Sequence, residues 1–520
     1  MRRLMGGAAL RFRSGALASV VSNVVGAGGQ VVLVPAFLAA WGEQRYGEWL
    51  TLAAAVAYAS FADLGLATYV TNRLNALRAR EEMAEYARVL HSALALSLVL
   101  SGCMMAVLAA GLWGAPLAAW FRFEDTPGST AALASIVLAA QAVVSIPRGL
   151  VLGLYRTIGE YARGTHLANL QRVAYVGATL GTLALGAGLV EVAAAQLATA
   201  VAAPALALFD LARRHPDLPL GLGRRDRALA RSLVRPSVHF LAIQVSLIGV
   251  LQGSTLLVSS LFGAGAVAVF VSLRTLANFV RQAGGALSNA AWPELTRLSA
   301  AGAGGTLREV HRLKVKLLWA LTLGAAAFLR LTGEELFAAW TGGRLAFDAL
   351  LFDAFLLWLV AQAPWTASSY VLLASNRHER LAVRQLAAAV LGLAGGAWLA
   401  RWLGPAGLLV GLAGAELALC GLFVPRRVCA VTGDDPARFL REVYGRGVLA
   451  SLAMVLLVVL GDAWIGAAGP LARIFAGALL AGGGLLLVAV PFWLTPHERR
   501  RAAELLSPRL GRLLPAEVRR

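Results

Sequence analysis

Four arginines and two acids stand where an oily chain has least use for charge. Arg172 falls in the apolar stretch 165–187, Arg274 and Arg281 in 265–291, and Arg148 toward one end of 130–152. A guanidinium is permanently charged and pairs phosphate oxygens two at a time through a planar fork of donors. Arg274 and Arg281 lie seven residues apart, two turns of helix, and so share a face. An arginine at the middle of a spanning helix costs at least ~2.5 kcal/mol on insertion scales, so it is expected to face a wet cavity or a partner. For Arg281 and Arg172, snorkelling to an interface and pairing with a carboxylate stay open as alternatives. Glu416 lies in LLVGLAGAELALCGLF; it could couple to a proton or sodium ion, or be a protonated packing residue or the partner of an arginine in the preceding span. Asp63, in YASFADLGLATYVTNRL, could tie its helix to a neighbour, with Gly65 allowing close packing. The other reading of Asp63 is contact with a bound solute or ion.

Other catalytic and metal chemistry is not expected. Cys103, Cys420 and Cys429 form no paired spacing, and the seven histidines form no His-x-x-x-His or His-x-His cluster, so neither a disulfide framework nor a metal site is predicted. Glu334, Glu335, Asp348 and Asp353 could pass for catalytic carboxylates, but a solvated rim is the expected reading. No Ser-His-Asp arrangement and no phosphate-binding glycine loop is present.

The elements that must position these charges follow from composition. Hydrophobic residues make up 58% of the 520 and charged residues 14%, with a mean hydropathy of +0.69; a soluble domain carries roughly 25% charged residues. Many apolar runs reach about 20 residues, enough to cross a bilayer as a helix. Fourteen spans are expected. The first, from Gly15 to Trp41, is too long for a signal-peptide core, and the second, 49–71, is expected as one continuous helix. Of the 47 Lys and Arg, 38 fall in the termini and alternate loops, six in the opposite loops and three within spans. That asymmetry predicts cytoplasmic termini and accounts for most of the +19 net charge, leaving no call for nucleic acid.

The spans group into an N-terminal lobe (1–212, spans 1–6), a cytoplasmic linker (213–236), a C-terminal lobe (237–425, spans 7–12), two further spans (426–495) and a basic tail (496–520). Within the linker, RRDRALARSLVR suits an amphipathic helix lying on the inner leaflet; the tail could do the same or stay solvated. The lobes echo each other at an offset of 221 residues, which pairs Asn23 with Gln244 and Gly42 with Gly263. Two six-span lobes of one orientation make a parallel repeat, a transporter plan in which lobes rock about a shared cavity.

The stretch LVPAFLAAWGEQRYGEWLTLAAAVAYASFADLGLATYVTNRL, Leu33 to Leu74, resembles the start of bacterial polysaccharide flippases. These are the O-antigen and exopolysaccharide exporters of the multidrug/oligosaccharidyl-lipid/polysaccharide (MOP) superfamily. The matching features are Pro35, Gly42, Tyr46-Gly47-Glu48-Trp49, Asp63-Leu64-Gly65-Leu66 and Asn72. Phe270-Val271-Ser272-Leu273-Arg274 and Pro293 look like the corresponding segment of the second half. The resemblance implies an all-α protein of two six-helix lobes around a central cavity plus two extra helices. It implies movement of undecaprenyl-diphosphate-linked oligosaccharide from the inner to the outer leaflet by alternating access. Arg274, Arg281, Arg172 and Arg148 would then line the cavity for the diphosphate, and Glu416 and Asp63 would be the acids of coupling or lobe closure. No cofactor is implied beyond a coupling H+ or Na+. The implied partners are the lipid-linked oligosaccharide and membrane lipids, with a polysaccharide polymerase and other assembly proteins compatible. Two alternatives remain: a multidrug cation antiporter of the same superfamily, and a membrane polysaccharide polymerase or ligase. The first usually carries an aspartate in span 1, where this chain has Asn23 and Gln30; the second needs larger external loops than this chain has.

Overall fold

The computed structural model describes the backbone of residues 2–59, 65–375, 377, 379–465, 469–486 and 493, with side chains except at 2–20, 23, 235–244, 290, 293, 294 and 300. Asp63, the side chains of Asn23, Gln244 and Pro293, and the tail 496–520 lie outside the described residues. The chain forms two compact units, residues 1–271 and 272–520. The first holds α1 (Arg2–Ala57), α2 (Leu66–Ala79), α3 (Met83–Trp113), the single turn α4 (Leu117–Trp120), α5 (Gly128–Thr157), α6 (Tyr161–Ala184), α7 (Leu189–Arg214), α8 (Arg227–Phe262) and the start of α9 (Ala264–Ala300). The second holds the rest of α9, then α10 (Gly304–Thr341), α11 (Ala349–Ala374), α12 (Glu379–Leu403), α13 (Ala406–Glu416), α14 (Phe423–Thr432), the short α15 (Pro436–Phe439), α16 (Arg446–Ile465) and α17 (Pro470–Gly484). Wide π-type turns, Leu417–Gly421 and Leu440–Gly445, join α13 to α14 and α15 to α16.

Eleven helical stretches among the described residues are long and apolar enough to cross a membrane. The difference from fourteen has physical causes. The stretch Val24–Ala57 runs through a kink at Gly42 and takes in parts of two spans; α6 carries Arg163, Asn169, Gln171 and Arg172; and α17 is described over only 15 residues. On α16, Leu449, Leu452, Val455, Leu456, Val459 and Leu460 are each more than half exposed. A soluble monomer rarely shows so continuous an apolar face, whereas lipid accepts it because every backbone group is satisfied within the helix. The protein is a polytopic, all-helical membrane protein.

Two local features of the first half differ from expectation. The second span is not one helix: α1 ends at Ala57, Gly65 takes a left-handed conformation (φ 73°, ψ 13°), and α2 starts at Leu66. Gly65 therefore serves a turn at the start of α2, since a left-handed φ costs glycine little. The linker is also different. Its basic segment is not a separate surface helix but the first turns of α8, which runs unbroken from Arg227 to Phe262. The preceding loop is pinned to α3. His91 Nδ1 accepts from the Arg224 N–H at 2.9 Å, so the ring carries its proton on Nε2 and donates it to the Pro219 carbonyl at 2.8 Å. Asp226 caps α8 through the N–H groups of Ala228 and Leu229 and pairs with Arg88 of α3 at 2.8 Å.

The glycines paired by the 221-residue offset share one rare backbone state. Gly42 has φ 73°, ψ −178° and Gly263 has φ 86°, ψ 170°, a region open essentially to glycine alone. Each sits where one spanning helix turns into the next.

Candidate functional site

Just past the Gly42 kink, Tyr46-Gly47-Glu48-Trp49 holds the first unit together. Tyr46 and Trp49 are buried and stack on Phe37, with ring centroids 5.2 and 5.9 Å away. Gly47 lies so close to the start of α9 that a Cβ there would come within 1.8 Å of the Ala264 carbonyl oxygen. Glu48 is fully buried, and its Oε1 accepts from the N–H groups of Glu124 at 2.7 Å and Asp125 at 2.9 Å. One turn on, Thr51 Oγ1 donates to Ser259 Oγ at 3.1 Å, and Ser259 Oγ donates to the Phe121 carbonyl. The segment resembling the flippases thus clamps three parts of the unit at one corner.

The next turns of α1 open onto a polar cavity of about 270 Å³. Trp49, Ala53, Val56 and Ala57 form one wall; Gln141, Ser145 and Arg148 of α5, Gln171 and Tyr175 of α6 and Gln196 of α7 supply the polar lining, with Leu138, Ala142 and Ala200 between them. Pro147 shapes the α5 wall. Lacking an N–H, it cannot bond the carbonyl four residues back, and Ser101 Oγ donates to that Val143 carbonyl at 3.3 Å instead. Arg148, next to this proline, donates through Nη1 to Gln171 Oε1. Gln196 Nε2 donates to Thr179 Oγ1 at 3.1 Å, while Gln141 Oε1 is buried without a partner. Behind the cavity, Arg172 Nη1 donates to Ser22 Oγ and to Asn169 Oδ1. The charges of Arg148 and Arg172 are near enough to repel each other. Among the described residues the hydrogen-bond partners of both are neutral oxygens, and neither has an ion pair. Arg172 is exposed and does not line the cavity, whereas Arg148 is half-buried in its wall. A half-buried positive charge without a counter-ion is costly, and an anion is what would relieve it.

In the second unit Arg274 and Arg281 are both half-buried on α9, and α13 brings Glu416 within electrostatic reach of Arg281. Glu416 Oε2 accepts from Trp358 Nε1 of α11 at 3.0 Å. The arginine near Glu416 is therefore not one of the preceding span. Arg384 of that span instead donates to the Leu419 carbonyl at 3.1 Å. Glu416 is also the residue from which the helix widens into the π-type turn Leu417–Gly421, a distortion that occurs frequently at functional sites.

Of the four acids around the α10–α11 connection, Glu334 is exposed and Asp353 nearly half exposed, as expected of a solvated rim, whereas Glu335 and Asp348 are structural. Glu335 is 11% exposed and pairs with Arg473 at 2.6 Å; Asp353 pairs with Arg330 at 2.8 Å; Asp348 caps α11 through the Leu351 N–H. Among the described residues no three His, Cys, Asp or Glu side chains gather as metal ligands. Sequence reasoning missed Gln141, Gln171, Gln196, Ser145 and Trp358. The available signal was Gln141 and Gln196, each placed within an otherwise apolar run, and Gln171 beside Arg172.

No family model matches the chain, and no curated protein matches it. Solved structures do. The lipid II flippase MurJ in an inward closed conformation superposes with a TM-score of 0.69 at 10% identity, covering 92% of this chain and 98% of that one. An inward-facing multidrug-resistance MATE family transporter of the MOP superfamily gives 0.61 at 17% identity, covering 79% and 95%. The MATE multidrug transporter DinF-BH in complex with R6G gives 0.60 at 17% identity, covering 82% and 97%. The chain has the fold of the MOP transporters. At these identities the likeness is one of fold, and it is shared by a flippase and by drug exporters.

Proposed function

We propose that the protein is a flippase that moves undecaprenyl-diphosphate-linked oligosaccharide from the cytoplasmic to the outer leaflet of a bacterial inner membrane, for cell-surface polysaccharide synthesis. The observation that carries this reading is Arg148: a guanidinium in a polar cavity, bonded to a neutral amide and paired with no acid among the described residues. The cavity is sized for a headgroup rather than for the whole lipid-linked load, and fixed donors there replace the water that a diphosphate loses. Glutamine amides and the Tyr175 ring beside the arginine offer the hydrogen bonds and flat surface that sugars use. Arg172 adds positive potential near Arg148, and Arg274 and Arg281 are the corresponding cationic groups of the second unit. Glu416 is the group that takes a coupling proton or sodium ion. The lobes alternate access, and both termini face the cytoplasm. A cation antiporter is disfavoured because arginine repels the cargo it would carry.

Reconstitution tests this. Proteoliposomes holding the protein are expected to expose fluorescent undecaprenyl-diphosphate disaccharide from the inner leaflet to an impermeant quencher faster than protein-free liposomes do. Absence of exchange, or ion-driven accumulation of an organic cation instead, would contradict the proposal.

A further inference from the structure

A second basic site lies in the second unit, lined by neither Arg274 nor Arg281. Arg380 and Arg384 of α12 and Arg426 and Arg427 of α14 line one groove of about 470 Å³, walled by Leu422 and Phe423 among others. Arg384 is held in place twice. Its guanidinium lies 3.9 Å from the centroid of the Phe423 ring, and Nη1 donates to the Leu419 carbonyl of the π-type turn at 3.1 Å. Arg380, Arg426 and Arg427 are exposed and form no ion pair among the described residues. The acids nearby are engaged or turned elsewhere: Asp434 holds Arg312, Asp435 caps α15, and Glu379 does not line the groove. Four guanidinium groups collected in one concavity repel one another, and a phosphate neutralises that repulsion.

The surroundings decide which phosphate. The groove sits at the end of α12 and α14 that the arginine distribution assigns to the cytoplasm. From it runs an exposed apolar strip, Val383 (70% exposed), Leu386 and Val390 on α12 with Leu417 and Leu422 opposite. A soluble anion has no use for that strip, whereas acyl chains do; basic pockets between spanning helices on the cytoplasmic side suit anionic headgroups. The α12–α13 pair that carries the strip is rigid. A Cβ at Gly411 would come within 2.3 Å of the Gly396 nitrogen, so the two backbones are in direct contact. We propose that this groove binds the phosphate headgroup of an anionic membrane phospholipid, whose chains lie along α12.

The test is lipid binding, independent of any flipping. Purified full-length protein in neutral detergent is titrated with phosphatidylglycerol, phosphatidylcholine or inorganic diphosphate, and retention is read by native mass spectrometry. Phosphatidylglycerol is expected to bind at least ten-fold more tightly than phosphatidylcholine. The double variant Arg426→Gln/Arg427→Gln is expected to lose roughly thirty-fold in phosphatidylglycerol affinity, the effect of two cationic contacts. Arg426→Lys/Arg427→Lys should keep most of it, and Arg224→Gln/Arg225→Gln, in the loop before α8, should keep all of it. Equal phosphatidylglycerol affinity in wild type and the Arg426→Gln/Arg427→Gln variant would overturn the proposal. So would inorganic diphosphate that displaces phosphatidylglycerol at equal concentration, because the apolar strip would then contribute nothing.

Discussion

Arg148→Ala is expected to slow leaflet exchange of an undecaprenyl-diphosphate glycan by roughly ten- to a hundred-fold, with the thermal midpoint in detergent little changed. The size follows from the ~1.5–3 kcal/mol of a hydrogen bond to a charged group, felt where water is scarce. Stability should hold because, among the described residues, the wild-type guanidinium is bonded only to Gln171 Oε1, and the amide keeps access to the cavity when the arginine is removed. Arg148→Lys should restore part of the rate: a lysine keeps the charge but not the two-pronged geometry. Arg148→Glu should abolish exchange. Leaflet exchange by the alanine variant at the wild-type rate would remove Arg148 from the cargo path.

Gly47→Val should have the largest effect on the protein itself. A Cβ at this position would sit 1.8 Å from the Ala264 carbonyl oxygen, and the obstacle is backbone rather than a side chain that can swing away. Overpacking typically costs ~1–3 kcal/mol, and an immovable contact lies at the upper end of that range or above it. The displaced turn carries Glu48, whose carboxylate would leave the Glu124 and Asp125 N–H groups, and Trp49, which walls the cavity. The expected result is little monodisperse protein on size-exclusion chromatography and no exchange activity. Gly47→Ala should fall between. Wild-type yield and melting for Gly47→Val would show that α1 and the start of α9 do not meet as described.

The large-scale features were legible because they rest on one strong signal, the length and oiliness of the spans, which lipid enforces. The Gly42–Gly263 correspondence was legible too: a glycine ending each span at one offset could be seen before both were found in the same rare conformation. The turn at Gly65 was not. Leu-Gly-Leu carries no proline and no run of turn residues, so hydropathy reads straight through the place where α1 stops and α2 begins. The cavity was half legible. Arg148 and Arg172 stood out as charges, but Gln141, Gln171 and Gln196 come from three separate helices and meet only in the fold. The groove between α12 and α14 escaped for a related reason. Its arginines look like ordinary topology charges until those of α12 and α14, more than forty residues apart in the chain, are brought side by side. Glu48 was recognised within a motif without its task, since the N–H groups it holds lie on a loop more than seventy residues away.

The claim on which the rest depends is that the cavity of the first unit receives a diphosphate. In a chain whose Cys103, Cys420 and Cys429 are replaced by alanine, a single cysteine at Gln141 can be labelled with a small maleimide. Gln141 is suited to this because its oxygen is buried against the cavity without a partner. Undecaprenyl diphosphate is expected to slow labelling at that position at least ten-fold, undecaprenol not at all, and Arg148→Ala should abolish the protection. Equal labelling with and without the diphosphate lipid, or equal protection by undecaprenol, would contradict the account.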